Sequence, residues 1–207
     1  MAVIAMPTTL ILGRQLFRQR RFDLSEVSEV TGKQATRLFG PPKWGMSIGS
    51  PSPLSMEMSA IWEGMLMKLR GSINVLSAWD VNKPVPRGTM RGSPTLLSAA
   101  AAGAVSLSIT GGGVSTTLKM GDWLQVGAGF GTSQLVKVTD DMVFSITGLG
   151  TVFFEPPIRK VIAGGAAVTW NMPLGHYRLA GNEFSWNAVA GAILSEGYGG
   201  DFMEDFG

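Results

Sequence analysis

The stretch Trp79-Asp80-Val81-Asn82-Lys83-Pro84-Val85-Pro86-Arg87-Gly88-Thr89-Met90-Arg91-Gly92-Ser93-Pro94 decides how this chain is divided. Proline cannot donate to a sheet ladder, and glycine and proline together punctuate structure, so the tract reads as a junction. On its N-terminal side lies the only segment with helical periodicity. Met58, Ile61, Trp62, Met65, Leu66 and Leu69 recur at three- and four-residue spacing and form one apolar stripe. Ser55 is placed to cap the first turn, Glu57 suits its dipole, Lys68 and Arg70 suit the last turn, and Gly71 follows as a natural stop. The spacing predicts a helix over 55–70, packed on a sheet.

On the C-terminal side the period changes from helical to alternating. Val105–Thr110, Asp122–Val126, Leu135–Val138, Val143–Ile146, Thr151–Phe154 and Ala166–Trp170 are short strand-like runs separated by glycine-rich turns. Short strands at close, regular spacing point to a small barrel or sandwich, because closure removes exposed sheet edges. Met172-Pro173 reads as a second junction. We therefore expect an outer domain from residues 1–92 and 173–207, interrupted by an inserted barrel over 93–172.

Within the outer domain, Lys43–Gly49 alternates Trp44, Met46 and Ile48 with small residues, a strand with one buried face. Ile73–Trp79, Gly175–Leu179 and Asn182–Trp186 read as further strands. Residues 24–36 suit either a half-exposed strand and turn or a short helix. Residues 1–22 read either as a solvated terminal segment or as an arm crossing onto a neighbouring subunit. The glycine, aromatic and acidic residues of 196–207 read as a mobile or partner-ordered tail.

Composition narrows the function. Of 207 residues, 45% are hydrophobic and only 15% are charged, against about 25% charged in an average soluble protein. Such a surface is poorly suited to an isolated monomer and well suited to burial between subunits. No apolar run approaches the roughly 18 residues of a membrane span, so no membrane anchor is expected. Met1–Leu12 precedes its arginines, the reverse of a signal peptide. The chain has no cysteine, which excludes disulfides, thiolate metal sites and cysteine nucleophiles. A net charge of +2 implies no bulk attraction to nucleic acid.

Catalytic candidates are few. His176 is the only histidine, and no nucleophile motif accompanies it. Asp140 and Asp141 are adjacent on a strand pattern, where neighbours point to opposite faces, and they read as turn residues. Gly111–Gly113 and Gly127–Gly131 lack the lysine and helix start of a phosphate loop and read as hairpin turns. We expect no catalytic residue, metal or cofactor. Arg14, Arg18, Arg20, Arg21, Lys33, Arg37, Lys43, Arg87 and Arg91 are scattered rather than clustered. They suit ion pairs between subunits, with Glu196, Asp201, Glu204 and Asp205 of a neighbour as partners.

The order of motifs resembles a known family. Trp44 in its alternating strand is followed by Pro53-Leu54-Ser55, then the helix with Trp62 and Leu66-Met67-Lys68-Leu69-Arg70-Gly71. Pro86-Arg87-Gly88-Thr89 and Gly92-Ser93-Pro94 come next, then Gly121-Asp122-Trp123-Leu124-Gln125-Val126-Gly127, Pro156-Pro157-Ile158-Arg159, Met172-Pro173-Leu174-Gly175 and Tyr177-Arg178-Leu179. This arrangement, over about residues 40–186, resembles the distal tail proteins of long-tailed, siphovirus-type bacteriophages. The resemblance implies a mainly β fold: a tail-tube-like β-sandwich with one packed helix, plus an inserted barrel resembling an oligonucleotide/oligosaccharide-binding fold. It implies a homo-oligomeric ring, usually a hexamer, at the tail tip of a virion assembled in the host cytoplasm. Such a ring joins the tail tube to the baseplate hub or fibre apparatus, and DNA passes through its lumen without specific binding. Phe17, Arg20, Arg21, Phe39, Trp44 and Arg87 are the expected contacts between subunits. Trp123, Phe130 and Trp170 are the candidates for a saccharide platform. A tube or head–tail connector subunit, and a virion carbohydrate-binding module, are the alternatives.

Overall fold

The computed structural model describes residues 1–181, 183–189 and 194–207. The elements run β1 (Val3–Ala5), β2 (Arg14–Val27), β3 (Gln34–Gly49), β4 (Leu54–Ser55), α1 (Met56–Leu69), β5 (Val75–Ala78), β6 (Thr95–Leu96), β7 (Ser106–Thr110), β8 (Thr117–Leu118) and β9 (Trp123–Val126). They continue with β10 (Gln134–Val138), β11 (Met142–Val143), β12 (Gly150–Glu155), β13 (Val168–Thr169), β14 (Gly175–Leu179), β15 (Asn187–Val189), β16 (Leu194–Glu196) and β17 (Gly199–Glu204). The fold is mainly β, with one α-helix among the described residues and a small barrel.

The larger sheet has the order β1-β5-β14-β17-β3-β2. Register places Phe17 opposite Met46, Phe202 opposite Met46 from the other side, and Tyr177 opposite Glu204. Directly opposed residues share a face, so Phe17, Trp44, Met46, Ile48, Tyr177, Phe202 and Glu204 lie on one side. That side is buried. The helix covers part of it through Trp62, Met65, Leu66 and Leu69, all buried, with Met58 and Ile61 at the margin. Ser55 caps the helix by accepting from Met58 N at 3.4 Å, and the chain leaves it through two left-handed residues, Arg70 (φ 51°) and Gly71 (φ 65°). A three-stranded sheet, β15-β16-β4, flanks the helix start.

The second sheet has the order β13-β9-β10-β12-β7-β6. Its ends meet: Thr95 bridges Ala167, Leu96 N donates to Ala166 O at 2.9 Å, and Val168 N donates to Pro94 O at 2.9 Å. The result is an all but closed six-stranded barrel. A barrel this narrow has no lumen and is filled by its inward side chains, here Leu107, Ile109, Leu124, Val126, Val136, Val152 and Phe154.

Four expectations are corrected by these observations. Residues 1–22 are not a loose terminus: β1 runs parallel to β5, Met6 and Leu10 are buried, and β2 pairs along its length with the chain's own β3. Residues 196–207 are not a mobile tail, since β17 lies between β14 and β3 with Phe202 wholly buried. The strand expected over 143–146 is confined to Met142–Val143. Of the strand expected over 182–186, Asn182 lies outside the described residues, while Glu183–Trp186 is irregular and the strand begins at Asn187.

Candidate interaction surface

A projecting hairpin carries a run of exposed apolar side chains. β3 pairs with β17 only over Gly45–Gly49, yet β2 and β3 continue pairing to Val27 and Gln34. The extra nine residues of β2, Gln19 to Val27, carry the ribbon about 30 Å past the β17 pairing, at about 3.3 Å per residue. Every residue from Asp23 to Phe39 is exposed. Leu24, Val27, Val30, Leu38 and Phe39 project from this arm, Val30 at 94% exposure and Phe39 at 71%. The tip is a turn held by Ser28 N to Lys33 O (2.9 Å) and Gly32 N to Ser28 O (2.8 Å), with Gly32 at φ 63°. A register shift between Phe22 and Asp23 places Gly40 and Leu38 opposite them and leaves Phe39 as the extra, bulged residue. A lone two-stranded ribbon is marginal in water, so an arm with five exposed large apolar side chains is suited to being covered.

At the arm's base, Leu38, Phe39, Pro41 and Pro42 face Gly103, Pro157 and Ile158 of the barrel across an apolar notch of about 510 Å³. Arg21 reaches Glu155 of the barrel at 3.7 Å.

Beneath this notch lies the seam between sheet and barrel. Arg159, on the loop between β12 and β13, pairs with Glu204 at 3.0 Å, and both side chains are at least 95% buried. Arg159 also donates to Pro42 O at 3.0 Å from Nε, and its guanidinium lies 3.5 Å from the centre of the Phe206 ring. Glu204 accepts from Trp44 N at 2.7 Å. Burial pushes the Glu204 carboxyl up to about 7, against the opposing pull of Arg159, the Trp44 N–H and Lys43. Lys160 donates to Phe206 O at 3.0 Å and fixes the chain after β17 against the barrel.

The junction tract is stitched down by one carboxylate. Asp122, itself buried, accepts from Arg87 N (2.9 Å), Gly88 N (3.3 Å) and Lys119 N (2.8 Å). Next to it, Trp123 Nε1 donates to Asp80 at 2.9 Å. A Cβ on Gly88 would collide with the Thr117 carbonyl, which explains the glycine in Pro86-Arg87-Gly88-Thr89.

The expected site residues are dispersed. Phe39 is exposed on the arm, and Arg20 stands over the Phe22 ring at 5.4 Å. Arg21 is exposed and turned to the barrel. Phe17 packs on Trp123 and Tyr177 with centroids 5.4 and 6.4 Å apart. Trp44 is a core residue, 7% exposed, edge-on to Trp123 at 4.8 Å, so it presents no face to a neighbour. Arg87 bonds Met120 O and approaches Asp122 at 3.8 Å. The saccharide platform is not assembled: Trp123 is 2% exposed, Phe130 packs against His176, and Trp170 lies under Arg91 while donating to Gly92 O. Of the four acidic residues expected to reach a neighbour, three pair at home, Asp201 with Arg18 (3.7 Å), Glu204 with Arg159 and Asp205 with Arg178, while Glu196 accepts from Ser52 at 2.6 Å.

His176 is buried, and burial lowers its pKa. Its Nε2 lies 3.4 Å from Ser133 Oγ, but Ser133 donates to Gly129 O at 2.7 Å, and His176 Nδ1 has no partner among the described residues. A nucleophilic relay needs a third group to orient that nitrogen, and no described residue holds it. Asp141 is held in the turn by Lys119 and Met120 N, both at 2.8 Å. Among the described residues, no group of three or more histidines and carboxylates is placed to hold a metal ion. No described helix is long and apolar enough to cross a membrane. The sequence reading gives Arg159 and Asp122 no role beyond the motifs that contain them, and it sends Glu204 to a cation of a neighbour, whereas its partner is Arg159 of the same chain.

Fold and surface together define a mainly β protein with a small barrel and a projecting apolar arm. No family model matches the chain, and no curated protein matches it either.

Proposed function

We propose that this chain is a structural subunit of a long-tailed phage virion. It forms the ring at the distal end of the tail, between the tail tube and the baseplate hub or fibre apparatus, with a lumen left for DNA. The observation that carries the reading is the arm. A ribbon about 30 Å long that exposes Leu24, Val27, Val30, Leu38 and Phe39 is covered when copies close head to tail. Closed rings arise from such heterologous contacts. The low charge content of the chain and the order of motifs from Trp44 to Tyr177 support the same reading.

The reading assigns no reaction to the chain, and its function is geometric. A saccharide-binding role is disfavoured because Trp123, its central candidate, is buried. Native mass measurement and electron microscopy of the purified protein test the proposal. A single-layer ring of defined subunit number is the expected result. Long filaments would point to a tube subunit, and a monomer at high concentration would remove the proposal.

A further inference from the structure

Independently of the ring reading, we infer that His176 is an acid-operated latch: uptake of a second ring proton releases the hairpin between β9 and β10, residues 127–133, from the large sheet. This hairpin is weakly fixed by its own backbone. Gly127, Gly129 and Gly131 sit in the left-handed region, at φ 85°, 79° and 80°, and glycine loses the most freedom when ordered. Its hold on the sheet runs through His176 of β14. Phe130 meets the imidazole edge-on with centroids 5.6 Å apart, and Ser133 Oγ lies 3.4 Å from Nε2. The hairpin also walls, with Arg159–Ala163, a cavity of about 400 Å³, so its release opens that cavity.

The hydrogen bonds settle which ring nitrogen carries the proton. Ser133 has one hydroxyl proton and gives it to Gly129 O at 2.7 Å. Its contact with His176 therefore needs Nε2–H as the donor, which leaves Nδ1 a bare acceptor. Nδ1 is buried and has no partner among the described residues. A proton arriving there becomes a buried N–H without an acceptor, on a residue only 7% exposed. Opening the hairpin returns the imidazolium to water, so acid drives the opening. The charges around the ring leave this balance in place. Burial lowers the His176 pKa below its ordinary 6.5, against the pull of the Gly129 carbonyl and of Asp205. Asp205 is itself paired with Arg178, two residues along β14. Opposite His176 on β5 stands the uncharged Ser77. Across the cavity, Lys160 donates to Phe206 O and Gly207 O. The hairpin itself contains no titratable residue.

Above pH 6.5 the ring is neutral whether the hairpin is docked or open. Below it, the open form gains by up to about tenfold per pH unit, until the docked ring is itself protonated. Because His176 is the only histidine, exchange of its ring C–H proton, followed by mass spectrometry, reports its pKa directly. Amide exchange over residues 126–136, corrected for intrinsic rates, reports the hairpin, and β12 (Gly150–Glu155) serves as the reference for the barrel. The expected result is a His176 pKa below 6.5. Protection over 126–136 should then fall between pH 6.5 and about pH 4.5 while β12 keeps its own. His176→Gln can still donate to Ser133 but cannot titrate, and its protection should stay flat over the same range. A His176 pKa of 6.5 or higher, wild-type protection that stays flat, or an equal loss in His176→Gln would overturn the latch. If His176→Gln does not fold, the wild type decides alone. Loss over 126–136 with β12 intact supports the latch, and simultaneous loss in both overturns it.

Discussion

Replacing Arg159 by Met should weaken the whole molecule, and should do so more strongly in alkaline than in acid solution. The guanidinium fills a space among the Pro42 carbonyl, the Glu204 carboxylate and the Phe206 ring, and its side chain is 5% exposed. Methionine can replace much of the packing but none of the charge. Glu204 would be left buried with the Trp44 N–H as its remaining strong partner. Removing one member of a buried ion pair destabilises by about 3–5 kcal/mol. For a chain of this length that lowers the melting temperature on the order of 10 °C. The sign of the pH dependence follows from Glu204. Its folded-state pKa of about 7 is raised above its ordinary 4.5, so the native state holds this proton more tightly than the unfolded chain. Its contribution to stability is present below about pH 4.5 and lost as pH rises through 7. Without Arg159 the carboxyl rises further, so the variant's deficit is small at pH 5, where Glu204 is protonated in both proteins, and large at pH 9. Urea unfolding at both pH values measures this, with Glu204→Gln as the control that removes the slope. The variant R159M/E204L should recover much of the loss, because a paired charge exchanged for apolar packing is often neutral. A deficit of equal size at pH 5 and pH 9, or a double variant weaker than Arg159→Met, would refute the reasoning.

Three other substitutions test separate parts of the structure. Asp122→Ala strips three backbone N–H groups of a buried carboxylate, each a charge-assisted bond of about 1.5–3 kcal/mol; thermal unfolding should show a loss of at least about 3 kcal/mol. Gly88→Ala forces a Cβ into the Thr117 carbonyl, and limited proteolysis should find the tract over 79–94 newly cleavable. Trp123→Ala empties a buried site against Phe17 and Trp44, so it should cost about 3–5 kcal/mol in chemical denaturation, and a folded, fully stable variant would contradict the burial.

The sequence made some of this legible and hid the rest for physical reasons. The helix was readable because its buried stripe repeats at helical spacing and its ends carry Ser55 and Gly71. The alternating run Trp44, Met46, Ile48 was readable because one face is buried and the other is not. The arm was illegible for the converse reason: from Asp23 to Phe39 both faces are exposed, so no burial imposes alternation. β17 was mistaken for a tail because glycines and acids surround Phe202. Its place in the middle of the sheet is specified by partners on β3 and β14, about 155 and 25 residues away in sequence.

The buried carboxylates show where local reading ends. Glu204 and Asp122 look like surface residues, because an acid is seldom buried without a partner. Their partners, Arg159, Trp44 N and the N–H groups of Arg87 and Gly88, are 34 to 160 residues away, so only the folded chain reveals that the pairs exist. These two acids have a common effect. Asp122 ties the barrel to the junction tract, and Glu204 ties it to the sheet through Arg159. The barrel is thus tied through both acids, beside the Trp123–Asp80 and Lys160–Phe206 bonds, and it forms one wall of the notch at the base of the arm.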